Sequence, residues 1–222
     1  MGIDESVVRC GAAPVGAGRP SLRVGGLTPL TTVDYPGELA AVVFCQGCPW
    51  RCRYCHNGHL LASGAAGSVP WGEVRRFLEG RRGLLDAVVF SGGEPTLQTA
   101  LASAMTEVRA LGFKVGLHSS GAYPARLKAL LPLLDWVGLD IKALPEEYPA
   151  ITGVPGSGDR AWASLKSLLA AGVPMEVRTT PLPGQEGPEQ LAALKARLAT
   201  LGVTAHRVQR CRTERMLDPT LG

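Results

Sequence analysis

Leu39-Ala-Ala-Val-Val-Phe44-Cys45-Gln-Gly-Cys48-Pro-Trp-Arg-Cys52-Arg-Tyr-Cys55-His-Asn57 joins an apolar run to a loop that carries four of the chain's six cysteines. The run from Leu39 to Phe44 fits a β-strand, and the Gly and Pro that follow mark a loop at its carboxyl end. The last three cysteines, Cys48, Cys52 and Cys55, are spaced C-x3-C-x2-C. Three thiolates on a cluster of four irons leave one iron with an open coordination position. Counting Cys45 as well gives C-x2-C-x3-C-x2-C, which suits a structural zinc site in an interaction module. Zinc sites ordinarily separate their two cysteine pairs by about a dozen residues or more, so a gap of three is tight.

Working outward, short apolar runs alternate with helical stretches. Strands are predicted over Leu39–Phe44, Ala87–Phe90, Lys114–Leu117, Trp136–Ile141, Pro174–Thr179 and Ala205–Val208, and helices over Trp71–Glu79, Leu97–Leu111, Pro124–Leu131, Asp159–Ala171 and Pro188–Leu201. Gly112, Gly172 and Gly202 each fall just past a helical run, where a left-handed cap favours glycine, and a strand follows within a few residues. A repeated βα unit implies an α/β fold with parallel strands, either an open doubly wound sheet or a barrel, and six units fall short of the usual eight.

With 222 residues, 45% hydrophobic and 19% charged, the chain can bury a full core as one domain, expected over residues 22–222. Residues 1–21, rich in Gly, Ala and Pro from Cys10 to Pro20, read as a flexible N-terminal extension. The net charge of +4 is modest and the basic residues are scattered, the densest group being Arg207, Arg210, Arg212 and Arg215. This speaks against nucleic-acid binding, which wants a clustered basic stripe, and solvation is the expectation for that arginine group. No apolar stretch approaches the roughly 20 residues that span a bilayer. Asp4 and Glu5 replace the basic-then-apolar pattern of a secretory signal, so a reducing cytoplasm is expected, where thiols bind metal rather than pair. Gly2 to Ser6 matches a bare myristoylation pattern, read as coincidence.

Each predicted strand ends in polar residues. The cysteine loop follows the first, Ser91-Gly92-Gly93-Glu94-Pro95-Thr96 the second, and His118-Ser119-Ser120-Gly121 the third; Asp140 and Lys142 close the fourth, Arg178 to Thr180 the fifth, and Gln209 the sixth. The carboxyl ends of parallel strands share one face, and that face carries the ligand site.

Cys48 to Cys55 followed by Gly92-Gly93-Glu94-Pro95 resembles the radical S-adenosylmethionine superfamily, and implies its incomplete (β/α)6 barrel. Thr31-Thr-Val-Asp-Tyr-Pro-Gly37, Gln46-Gly47, His56-Asn57, Asp140-Ile-Lys142, Tyr148 and Thr152-Gly153 narrow the resemblance to the glycyl-radical-enzyme activases, and among them to activators of the anaerobic ribonucleoside-triphosphate reductase. It spans about Leu22 to Leu221. It implies one 4Fe-4S cluster held by Cys48, Cys52 and Cys55, with S-adenosyl-L-methionine on the fourth iron. Reductive cleavage would then yield a 5'-deoxyadenosyl radical that takes hydrogen from a backbone glycine of the partner. A flavodoxin- or ferredoxin-type protein is the implied electron donor. The other partners considered are a pyruvate formate-lyase-like enzyme and a small-molecule substrate.

The same resemblance assigns Gly92, Gly93 and Glu94 to the cofactor's amino group. Tyr54 is expected against its adenine, with ordinary packing as the alternative, and Arg178, whose guanidinium offers a rigid donor fork, against its carboxylate, with an ordinary exposed strand-end arginine as the alternative. Asp140 and Lys142, of one parity on their strand, are read as cofactor or partner contacts with a structural ion pair as the alternative, and Ser119 joins the cofactor set. His118 stands where related activases carry the aspartate of an Asp-Thr-Asn-Gly stretch. His56 and His59 stay outside the metal set, Cys45 reads as a buried strand-end thiol, and Cys10 and Cys211 as structural or incidental.

Overall fold

Helix-ending glycines set the rhythm of the fold. Gly112, Gly172 and Gly202 have φ of +94°, +65° and +87°, the left-handed region that residues with a side chain rarely adopt. A parallel strand starts within four residues of each. The computed structural model describes residues 20–183, 187–212 and 216–221, so the expected extension lies, apart from Pro20 and Ser21, outside the described residues, as do Gly2 to Ser6, Cys10 and Arg215.

Among the described residues there are seven strands and six α-helices: β1 (Val24–Thr31), β2 (Ala40–Cys45), α1 (Trp71–Glu79), β3 (Ala87–Gly92), α2 (Leu101–Ala110), β4 (Lys114–Ser119), α3 (Pro124–Leu130), β5 (Trp136–Asp140), α4 (Tyr148–Thr152), α5 (Ser157–Ala171), β6 (Met175–Thr179), α6 (Pro188–Thr200) and β7 (His206–Val208). The sheet runs β1 to β7 in chain order and does not close. β2 to β7 are parallel, as the βα pattern predicts, and β1 adds an antiparallel edge beside β2.

The two faces of the sheet bury different things. Val43, Cys45, Val88, Phe90, Val115, Leu117, Val137, Leu139 and Val177 form the main core with the helices, including Leu101, Met105, Leu127, Leu165 and Leu198. Each such apolar side chain contributes about 1.5–3 kcal/mol of transfer free energy. The concave face holds a smaller cluster of Ala40, Val42, Ala87, Val89 and Trp136, into which the β1–β2 loop inserts Tyr35. Tyr35 and Trp136 have ring centroids 5.3 Å apart. A Cβ on Gly116 would lie 3.0 Å from the Tyr35 ring, so glycine in mid-strand makes room for the plug. The lower interior is thereby filled, and ligands are left the carboxyl ends of the strands.

Candidate functional site

The cysteine loop has almost no secondary structure of its own, so its backbone must find partners elsewhere. Arg51 and Arg53 donate their amides to the carbonyls of Thr152 (3.0 Å) and Ile151 (3.0 Å) on α4, and Gly47 and Cys48 donate to Leu60 (2.7 Å) and Leu61 (3.3 Å). Trp50 packs edge-on against Tyr148, centroids 5.9 Å apart. Tyr148 and Thr152, singled out in the sequence, are thus the bracket on which the loop hangs.

The Gly92-Gly93-Glu94 loop is bonded directly to the cysteine loop. Gly93 donates to the Cys45 carbonyl (3.0 Å) and Glu94 to the Gly47 carbonyl (2.8 Å). Gly92 sits at φ +110°, and a Cβ there would lie 2.5 Å from the Cys45 amide nitrogen; one on Gly93 would lie 2.3 Å from the Gly47 oxygen. Only glycine permits this approach. The Glu94 carboxylate, 0% exposed, accepts from the Thr96 amide (3.1 Å) and hydroxyl (2.5 Å), the Ser119 hydroxyl (2.8 Å), and the Ser120 amide (2.8 Å) and hydroxyl (2.6 Å). Five bonds saturate it. Glu94 therefore ties the ends of β3 and β4 together, while Gly92 and Gly93 face the cavity. Ser119, besides donating to Glu94, accepts from the Gly121 amide (3.0 Å).

A cavity of about 840 Å³ opens where these loops meet. It is lined by the three predicted ligands Cys48, Cys52 and Cys55 and by Tyr54, Gly92, Gly93, Ser119, Asp140 and Lys142 from the predicted cofactor set. Lys142, 8% exposed, donates to Asp140 (3.1 Å), and its ammonium lies 5.4 Å from the Tyr54 ring centroid. Burial alone would lower the Lys142 pKa, but Asp140, Tyr54 and Cys52 raise it well above the ordinary lysine value. Burial pushes the Cys48 thiol up to about 12 and the Cys52 thiol upward too, with Lys142 pulling Cys52 back toward the thiolate. Two buried donors at this rim, Trp50 Nε1 and the Tyr54 hydroxyl, have no hydrogen-bond partner among the described residues.

Cys45 is placed differently. It is 0% exposed, belongs to the helix-side core and does not line the cavity. Among the described residues no three Cys, His, Asp or Glu side chains converge as a single-ion site requires. A zinc knot built on all four sulfurs does not fit this arrangement.

Arg178 and Glu94 are the two predicted cofactor residues that do not line the cavity. Arg178 donates to Glu176 (2.9 Å) and stacks over Trp136 (5.2 Å to the centroid), one layer below the rim. Its pairing with a cofactor carboxylate is not what its geometry supports. His118, which does line the cavity, sits on the same layer, its Nε2 2.8 Å from the Asp34 carbonyl and its Nδ1 3.3 Å from the Ser91 hydroxyl. A neutral ring with the proton on Nε2 satisfies both. Burial, then the Arg178 charge, lowers its pKa to about 4. Arg178 Nη1, 3.1 Å from the same Nε2, is then a packing neighbour, because a nitrogen that donates to Asp34 cannot also accept.

Residues 42–194, more than half of the chain, match the Radical SAM superfamily. The chain belongs to that superfamily. Among relatives, it is 34% identical over 129 residues, 56% of this chain and 52% of the other, to the Methanocaldococcus jannaschii protein MJ1227, whose name assigns it to the glycyl-radical enzyme activating enzymes. It is 31% identical over 172 residues, 69% of this chain and 62% of the other, to the pyruvate formate-lyase-activating enzyme of Streptococcus mutans. The chain thus spans about half to three-fifths of these relatives' length. Streptococcus suis SuiB bound to S-adenosylmethionine shares the fold, with a TM-score of 0.60 at 17% identity over 75% of this chain and 39% of that one.

Radical SAM proteins use a 4Fe-4S cluster and S-adenosylmethionine, and the residues present fit both. Three thiols face one cavity, glycines keep its wall free of side chains, and orphaned donors stand ready at its rim. Ser91 and Thr180 line the cavity as their strand-end positions predict, whereas Trp50, Arg210 and Arg212 are lining residues that the sequence reading missed. For the two arginines a signal existed, since they follow Gln209 at the end of the sixth predicted strand, the position that elsewhere marks the site face. Among the described residues no helix is long and apolar enough to cross a membrane.

Proposed function

We propose that this chain activates a glycyl-radical enzyme and that its partner is an anaerobic ribonucleoside-triphosphate reductase, with a flavodoxin- or ferredoxin-type electron donor in the cytoplasm. The observation that carries the activase reading is the convergence of Cys48, Cys52 and Cys55, Gly92 and Gly93, and Asp140 and Lys142 on one cavity. When bound, the cluster and S-adenosylmethionine supply a carbon-centred radical able to abstract hydrogen from a backbone glycine.

The chain's own residues then hold and orient. Cys48, Cys52 and Cys55 would hold the cluster, and Lys142 eases loss of the Cys52 proton. The Gly92-Gly93 backbone would accept from the cofactor's amino group at a distance no larger residue allows. Tyr54 and Trp50 offer one unpaired donor each. Asp140 holds the Lys142 ammonium against the Tyr54 ring, and this fixes the cation at the wall next to Cys52. The Tyr35–Trp136 plug closes the floor, so water and stray hydrogen donors would enter only from the rim.

The ribonucleotide reductase assignment draws on the stretches around the cysteines, above all Thr31–Gly37 and Asp140–Lys142. A pyruvate formate-lyase-type partner is the second reading, favoured by the name of the S. mutans relative. Anaerobic incubation of the reconstituted protein with S-adenosylmethionine, reduced flavodoxin and each candidate partner tests both. A glycyl doublet in the electron paramagnetic resonance spectrum of the reductase alone is expected. A doublet only on the lyase moves the assignment there, and cofactor cleavage with no doublet on either sinks the activase reading.

A further inference from the structure

The segment Met216–Leu221 lies against the cysteine loop. Leu217 donates its amide to the Cys55 carbonyl (3.1 Å), and Asp218 donates to the Arg53 carbonyl (2.8 Å). These two bonds pair the segment with the stretch between the second and third cluster cysteines. The Asp218 carboxylate then works in two directions. Oδ2 accepts from Arg53 Nε at 2.8 Å, and Oδ1 accepts from the Thr220 amide (2.9 Å) and hydroxyl (2.6 Å), which turns the chain into the 3-10 turn Pro219–Leu221. Met216 anchors the other end, packed on the main core with its sulfur 3.8 Å from that of Cys211.

The cysteine loop is therefore held from two sides of different kinds. α4 takes the amides of Arg51 and Arg53, and the 216–221 segment takes the carbonyls of Arg53 and Cys55. Residue 53 is gripped at its amide, its carbonyl and its side chain. Without the segment those two carbonyls would lose these two bonds, while the Cys55 amide would keep its bond to the Cys52 carbonyl (2.9 Å). We infer that Met216–Leu221 is a strap that positions Cys55, and that Asp218, acting through Arg53, is its positioning residue. The inference rests on Cys55 belonging to the cluster loop and not on which partner the chain activates.

The test uses the full chain, first free of metal and under anaerobic conditions. Alkylation by iodoacetamide is followed thiol by thiol by peptide mapping, with Cys45, buried on the helix side of the sheet, as the check on folding. Asp218→Asn should speed Cys55 labelling about threefold, the scale of one half-exposed charged pair. Replacing Met216–Leu221 by a Gly/Ser stretch should speed it about tenfold, the scale of two further backbone bonds. Cys45 should stay protected in both. Arg53→Gln should behave like Asp218→Asn, and Arg53→Lys, which can still donate to the Asp218 carboxylate and leaves its bonds to Thr220 untouched, should keep labelling slow, a rescue that loss of packing alone would not give. In cluster-loaded protein, the same variants should lose visible absorbance to a chelator faster, in the same order. Unchanged Cys55 labelling and cluster loss in Asp218→Asn and in the Gly/Ser replacement would overturn the strap. Should Cys45 label in the replacement, that variant has unfolded, and Asp218→Asn with the two Arg53 variants decides. Neither assay contains a partner or S-adenosylmethionine, so failure to activate any glycyl-radical enzyme refutes the activase reading without touching this one.

Discussion

The interior of the sheet has two layers with opposite polar character. In the lower layer the polar side chains are engaged with one another: Arg178 has Glu176 and the Trp136 face, and His118 has Asp34 and Ser91. In the rim above it, Trp50 Nε1 and the Tyr54 hydroxyl are buried without a hydrogen-bond partner among the described residues, and the Lys142 ammonium donates to Asp140. Buried polar groups are almost always paired in folded proteins, so a layer that leaves them unpaired is built to receive something. The cations make the contrast sharp. Asp140 and Arg178 are register partners on β5 and β6, yet the cation that Asp140 engages is Lys142 at the rim, while Arg178 turns down into the lower layer.

The most severe way to test this contrast is at the thiols. Cys52→Ala should abolish the visible absorbance of the reconstituted protein and all cofactor cleavage, whereas Cys45→Ala should keep both and cost about 1 kcal/mol of stability as a small core truncation. Loss of the cluster in the Cys45 variant would break the division. Next comes the layer beneath the rim, where protons report. His118 is neutral in the fold and its pKa is lowered to about 4, so the unfolded chain takes up a proton near pH 6.5 that the native state refuses. Stability should therefore fall as pH drops through the window from 6.5 to 4, by about 2 kcal/mol between pH 7 and pH 5. Denaturant midpoints of the metal-free chain measure it, and the part of the slope due to this ring should vanish in His118→Gln.

Gly93→Ala probes the seam between the two motifs. Its Cβ would meet the Gly47 oxygen at 2.3 Å and the Leu60 oxygen at 3.2 Å, both backbone atoms, so the cysteine loop must shift. We expect a loss of about 1–3 kcal/mol in stability and weaker S-adenosylmethionine binding by calorimetry. The smallest effect separates the cations. Lys142→Met should weaken cofactor binding by about tenfold, or 1.4 kcal/mol, with little change in melting temperature. Arg178→Lys should do the reverse, lowering the melting temperature and leaving affinity alone. If the two variants trade places, the layers have been assigned upside down.

The parallel strands were legible because their breakpoints are chemical. Glycines past α2, α5 and α6 demand φ above zero, and apolar runs follow directly, so predicted and observed strand bounds agree within two residues. β1 was not legible. Val24–Thr31 contains Gly25, Gly26 and Pro29, which argue against a strand, and the fold accepts them through irregular register between Val24 and Gly26 and between Thr28 and Thr31. An edge strand tolerates what an interior strand does not. At the site, spacing along the chain singled out the cysteines and glycines. It did not indicate how deep a strand-end side chain turns, and so Arg178 was expected at the cofactor, while Arg210 and Arg212 were read as solvated or partner-docking and not as part of the cavity. Nor did it reveal that Glu94 is saturated, because its partners Ser119 and Ser120 lie 25 and 26 residues away on the next strand end.

The pairing of β2 with β3 has a consequence for how much change the chain tolerates. Cys45 faces Gly92 and Phe44 faces Ser91 across parallel strands, so the distance between the two motifs is set by ladder rungs and not by the residues strung between them. Lengthening the surface turn at Ala65–Gly67 by several residues should leave the cavity intact. Sliding β3 by a single residue, with no change in composition, would turn every one of its side chains to the opposite face and carry Gly92 out of contact with Cys45.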